Sequence, residues 1–139
     1  MKYSIYLVRL KDKKGRYYIK FGITSTTVED RIRRKNFQGK REYENGVPLY
    51  KYFEAYKIIG QTDYVFSFEE AAAIENDLAD IINKPFWPDV PNLDGITELR
   101  SYTDSLKEKY EQLLNFTGCY YEFVNDKNTG SYSDKALSV

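Results

Sequence analysis

The stretch Arg16-Tyr17-Tyr18-Ile19-Lys20-Phe21-Gly22-Ile23-Thr24 separates cleanly by period two. Tyr17, Ile19, Phe21 and Ile23 share one face, and Tyr18, Lys20, Gly22 and Thr24 share the other, which is the pattern of a strand. The first face is the expected core face. On the second, Gly22 leaves no side chain where a ligand backbone can approach. Upstream, residues Tyr3 to Leu10 are rich in Tyr, Ile, Leu and Val and read as a partner strand. Between them Lys11-Asp12-Lys13-Lys14-Gly15 reads as a turn, so the chain opens with a hairpin. Tyr6 lies in the middle of the first strand. With its ring on the second face, Tyr6, Tyr18 and Lys20 cluster beside a glycine floor. An ordinary solvated sheet face, where Tyr and Lys are common, is the plainer alternative.

Beyond the hairpin, Thr26 followed by Glu29 carries a capping-box signature and predicts a short basic helix over 27–37. Residues 38–48 are polar with Gly39, Gly46 and Pro48 and read as a loop. Leu49 to Ile59 reads as a third strand. Ser67-Phe68-Glu69-Glu70 is a second capping box, opening a helix that reaches Asn83. Pro85, Pro88 and Pro91 enforce an irregular segment, and Thr103 to Phe116 reads as a last helix. The predicted class is therefore α/β in the α+β sense. A small three-stranded mixed or antiparallel sheet is flanked by helices, in the order β-β-α-β-α-α. Residues 1–116 form the domain and 117–139 an extension with a flexible end.

The 139 residues suffice for one such core. There is no histidine, and Cys119 is the single cysteine, so zinc chemistry is nearly excluded and a histidine triad is impossible. Acid-base work falls to carboxylates, Lys, Tyr or water. A lone cysteine forms no internal disulfide, which fits a reducing cytoplasm. No apolar run approaches the roughly 18 residues of a membrane span, and no signal-peptide pattern opens the chain. The net charge is zero, yet residues 1–60 hold 15 Lys and Arg against 6 Asp and Glu, and the remainder holds the reverse excess. A basic half carrying many aromatics suits a polyanion, and an acidic half suits metal ions or a basic neighbour. Pairing of the two halves with each other explains the asymmetry equally well.

Two helices carry the remaining candidates. In the helix from Phe68 to Asn83, Ala71, Ile74, Leu78 and Ile82 form an apolar stripe, with Glu69, Glu70, Asn76, Asp77 and Asp80 away from it. Glu75 falls inside that stripe, where a carboxylate is costly unless paired, protonated or bound to a metal. A structural salt bridge is the alternative reading. In the basic helix, Arg31, Arg34 and Lys35 share a face at spacings of three and four, suited to a phosphate. A solvated basic face is the alternative there.

The order of these features resembles the GIY-YIG nuclease superfamily over about residues 3–100. Ser4-Ile5-Tyr6 is similar to the first motif, with serine in place of glycine. Lys20-Phe21-Gly22 stands at the second, as in the phage-type branch where lysine replaces the motif tyrosine. Arg31 falls near the family's helix arginine, Glu75 in Ala71-Ala72-Ala73-Ile74-Glu75 resembles its metal-binding glutamate, and Asn92 stands near its late asparagine. Asp94-Gly95-Ile96-Thr97-Glu98-Leu99 resembles a terminal motif of the phage branch. The resemblance implies an endonuclease acting on DNA, with RNA not excluded, and using Mg²⁺ or Mn²⁺. Glu75 would hold the metal, Arg31 would bind the scissile phosphate, and Tyr6 would take a proton from the attacking water. Tyrosine releases its proton reluctantly at neutral pH, and a Lys20 ammonium beside it would favour the phenolate. Tyr18 would orient water or phosphate, and Arg34, Lys35 and Asn92 would contact nucleic acid. Cutting both strands with one site per chain would call for a homodimer or two sequential events. A binding module of the same fold without catalysis, and an inhibitory protein using its acidic half, are the competing readings.

Overall fold

A computed structural model describes residues 1–32, 52–81, 99–124 and 129–131. Its first element, β1 (Ser4–Asp12), turns back into β2 (Tyr17–Thr24), and the turn is organised by one buried carboxylate. Asp12 Oδ1 accepts from the backbone N–H groups of Lys14 (2.9 Å) and Arg16 (2.8 Å). Its Oδ2 accepts from Arg16 Nε (2.7 Å) and from the Tyr18 hydroxyl (3.0 Å). Gly15 completes the reversal at φ 82°, a conformation that glycine adopts without strain. Burial opposes the charged form of Asp12, but the bonds from Arg16, Tyr18 and Lys14 outweigh it and hold the carboxyl below its ordinary range.

After α1 (Val28–Ile32), the chain continues through β3 (Phe53–Thr62), α2 (Phe68–Ile81), β4 (Leu99–Ser101), α3 (Asp104–Asn115), β5 (Tyr120–Glu122) and β6 (Thr129–Ser131). The sheet is antiparallel in the order β4-β2-β1-β3-β5, with β6 also pairing β3. This is an α+β architecture with six strands and three helices among the described residues, a larger sheet than the three strands expected. The added strands are three residues each, too short to display a period, and pairing to longer neighbours creates them. Two of them, β5 and β6, lie in 117–139, so the presumed extension is stitched to β3. The third strand ends at Thr62 and not Ile59, because Gly60, Gln61 and Thr62 pair with Glu122, Tyr121 and Tyr120.

Caps set the helix starts. The box at α2 is reciprocal, with Ser67 N–H donating to Glu70 Oε1 (2.8 Å) and Glu70 N–H to Ser67 Oγ (3.1 Å). At α3, Thr103 Oγ1 accepts from Leu106 N–H (3.0 Å). At α1 the cap is Thr27, not Thr26: its Oγ1 accepts from Asp30 N–H at 3.0 Å. The expected continuation of this helix to residue 37, the loop at 38–48, the start of the third strand at 49–51, and the proline segment lie outside the described residues.

Both faces of the sheet are buried. One gathers Tyr6, Val8, Leu10, Tyr18, Phe53 and Ile58 with Val28 and Ile32 of α1. The other gathers Ile5, Leu7, Ile19, Phe21 and Ile59 with Ala71 and Leu78 of α2 and Leu106, Tyr110 and Leu114 of α3. Each fully buried large aliphatic or aromatic side chain contributes about 1.5–3 kcal/mol, so the central hairpin anchors two cores at once. Among the described residues no helix is long and apolar enough to cross a membrane.

The Asp12 network makes a pH prediction. A depressed carboxyl contributes stability above the ordinary aspartate value, about 3.9, and loses it as pH falls through the lower folded value. Asp12→Asn should therefore cost about 1.5–3 kcal/mol at neutral pH. It should also weaken the loss of stability below about pH 4. Urea unfolding of both proteins across pH checks both expectations. An unchanged midpoint at neutral pH would contradict this role.

Candidate functional site

Tyr6 and Gly22 face each other across the β1–β2 ladder. The tyrosine ring lies where a side chain at Gly22 would stand: a Cβ built there meets the Tyr6 hydroxyl and ring. The glycine thus has a packing reason, and it lets the hydroxyl end of Tyr6 lie flat on the second strand. Lys20, two residues back on the same side of β2, holds its ammonium 5.7 Å from the centre of the Tyr6 ring. A cation over an aromatic face is attracted by the ring quadrupole. The ammonium also donates to the Phe21 carbonyl at 3.4 Å. Tyr6 is 1% exposed and Lys20 7%, so the pair is almost withdrawn from solvent.

The serine at the first motif has its own role. Ser4 Oγ donates to the Thr62 carbonyl at 2.6 Å, while Thr62 Oγ1 accepts from Ile5 N–H at 2.9 Å. These bonds tie β1 to β3 two residues from Tyr6, and the first of them is one that glycine cannot make.

Tyr18 shares the Tyr6 face as its spacing predicts, but its hydroxyl is committed elsewhere. It donates to Asp12 at the hairpin end, four residues along the strand from Gly22, or about 13 Å. Burial first, then Tyr52 and Asp12, push this phenol well above its usual range. Tyr18 therefore serves the turn. Its ring packs edge-on against Phe53, with centres 5.4 Å apart.

Arg31 is exposed on α1, a helix held on the Tyr6 face by Val28 and Ile32. Glu75 stands differently. Its helix, α2, packs through Ala71 and Leu78 on the opposite sheet face, chiefly against β2. Glu75 itself is half-buried, as are its helix neighbours Ile74 and Ala79. The described part of β4 pairs β2 only at Tyr18–Lys20. Glu75 and Tyr6 thus lack a common sheet face. Among the described residues no group of three or more acidic, cysteine or histidine side chains gathers as a metal cage. Arg34, Lys35 and Asn92 lie outside the described residues.

One buried cation escaped the sequence reading. Arg100 of β4 lies 5.6 Å from the Phe21 ring centre and donates to the Leu99 carbonyl (3.1 Å) and the Ala79 carbonyl (3.4 Å), linking β4 to α2. A three-residue strand gave no periodic signal to place it.

Comparison of the chain with protein-family models, with curated proteins and with solved structures gives no match.

The close approach at Gly22 predicts a selective defect. Gly22→Ala must displace the Tyr6 ring, costing about 1–3 kcal/mol as overpacking does, and should shift the Tyr6 ring resonances most. An alanine variant with wild-type stability and unmoved Tyr6 resonances would contradict the contact.

Proposed function

We propose that the chain is a metal-dependent endonuclease of the GIY-YIG kind, hydrolysing phosphodiester bonds of DNA. The observation that carries the reading is the Lys20 ammonium held beside the Tyr6 ring over Gly22. This contact puts a fixed cation beside the one side chain that the reading uses for proton transfer. In this reading Tyr6 takes the proton of the attacking water as its oxygen bonds to phosphorus and the P–O bond to the leaving oxygen breaks. Arg31, exposed on the same side, binds the scissile phosphate by charge-assisted hydrogen bonds. Arg34, Lys35 and Asn92 extend the contact with nucleic acid.

Glu75 would hold Mg²⁺ or Mn²⁺. A single carboxylate fits such a cation, which takes most of its shell from water and substrate phosphate. The bound metal would supply Lewis-acid stabilisation of the phosphate and the leaving oxygen.

A second reading, a nucleic-acid-binding module without catalysis, draws on two observations. The helix of Glu75 packs on the sheet face opposite Tyr6, and Tyr6 and Lys20 are nearly covered.

Incubation with supercoiled plasmid and single-stranded DNA, in Mg²⁺, in Mn²⁺ and in EDTA, separates the two. The nuclease reading expects cleavage that EDTA abolishes, and a loss of about 10²–10⁴-fold in Tyr6→Phe. Glu75→Gln should abolish cleavage while leaving melting temperature and DNA affinity intact or raised, because it removes a negative charge beside the phosphate. DNA binding without cleavage in any metal would select the binding module. A Glu75→Gln variant that melts much earlier would make the glutamate a structural ion-pair partner.

A further inference from the structure

On the sheet face opposite Tyr6, past the end of the core covered by α2 and α3, the odd-numbered positions of the strands change from apolar to cationic. Ile5 and Leu7 give way to Arg9 and Lys11 on β1, and Lys57 follows the same face of β3. These three line a groove of 460 Å³ together with Tyr17, Thr129 and Gly130. That volume falls within the range of small-ligand sites.

Arg9 and Lys57 are directly opposed across the β1–β3 ladder. Like charges in that relation destabilise a sheet. Among the described residues neither has a carboxylate partner. Lys11 meets Glu54 at 3.4 Å, but both side chains are well exposed, and such a pair is worth little. Arg9 is nonetheless held in place: its guanidinium lies 4.7 Å from the Tyr17 ring centre and 5.6 Å from that of Tyr102. Stacking of this kind leaves the donor edge of the guanidinium open for an anion. Tyr17 remains 44% exposed.

The geometry points to a nucleotide-binding groove, in which Arg9, Lys11 and Lys57 take a phosphate group and the Tyr17–Arg9 stack takes the base. A phosphate relieves the repulsion between Arg9 and Lys57, and every base has a π-face that can stack on an aromatic side chain. The same chemistry is offered by a free nucleotide and by one unit of a single strand. The inference does not rest on the nuclease reading, because the groove and the Tyr6–Lys20 pair occupy opposite faces.

Binding of 5′-AMP to the whole chain, followed by chemical-shift changes, is the test. Wild type should bind with shifts at Arg9, Tyr17 and Lys57. The double variant Arg9→Gln, Lys57→Gln should bind at least about tenfold more weakly. It should melt no lower than wild type, since a like-charge pair is removed. Lys20→Met should keep the wild-type affinity for AMP. Tyr17→Leu should weaken AMP and leave inorganic phosphate unaffected. An oligothymidylate that displaces AMP at lower nucleotide concentration than AMP itself assigns the groove to a strand; weaker displacement assigns it to a free nucleotide. No binding of AMP, equal affinity for AMP in the double variant, or inorganic phosphate binding as tightly as AMP would each overturn the proposal.

Discussion

Strand β1 is paired on both sides and buried on both faces, and this double burial governs everything around it. Its even positions, Tyr6, Val8 and Leu10, enter the core shared with α1, while Ile5 and Leu7 enter the core shared with α2 and α3. A one-residue slip in register would exchange the two sets and place the Tyr6 hydroxyl among aliphatic side chains. Register is held at both ends of the strand. At one end Asp12 gathers the turn, and at the other Ser4 and Ile5 lock onto Thr62. The position of Tyr6 over Gly22 follows from those two anchors.

That position gives the candidate centre its chemistry and its tension. Burial strengthens the influence of the Lys20 charge on the neighbouring ring, since the screening of bulk water is lost. The same burial limits access for a DNA backbone. In the nuclease reading a carboxylate from α2 would also be needed, and it would have to approach from the other face of the sheet. The two proposed readings differ in whether that approach is completed when substrate binds.

The hairpin was legible in the sequence because its residues obey period two over a length that chance seldom sustains. Lys20 and Gly22 were placed on one face by that period. Tyr6 joined them only if its ring faced the same side, as its register with Gly22 requires. The Ser67–Glu70 box marked α2 through a spacing with a direct hydrogen-bonding cause. Three things were hidden. The Asp12 network pairs a turn carboxylate with donors that only the folded reversal gathers, including the Tyr18 hydroxyl, which spacing alone assigned to the site. The strands β4, β5 and β6 exist through tertiary pairing and carry no pattern of their own. The sheet face of Glu75 escaped a helical wheel, which gives an angle around the helix but not the face of the sheet that the helix covers.

The chain holds two features of different chemistry on opposite sides of one sheet, a buried tyrosine–lysine pair and a cationic aromatic groove. The central claim concerns the first: that Tyr6, Lys20 and Glu75 act on one phosphodiester. Manganese relaxation decides it most directly, measured on the assigned amides with a non-cleavable phosphorothioate DNA bound. The account predicts strong broadening at Glu75 together with Tyr6 and Gly22, as one ion near all three would cause. Broadening confined to the exposed acidic side of α2 at Asp77 and Asp80, with Tyr6 and Gly22 unaffected, would contradict it.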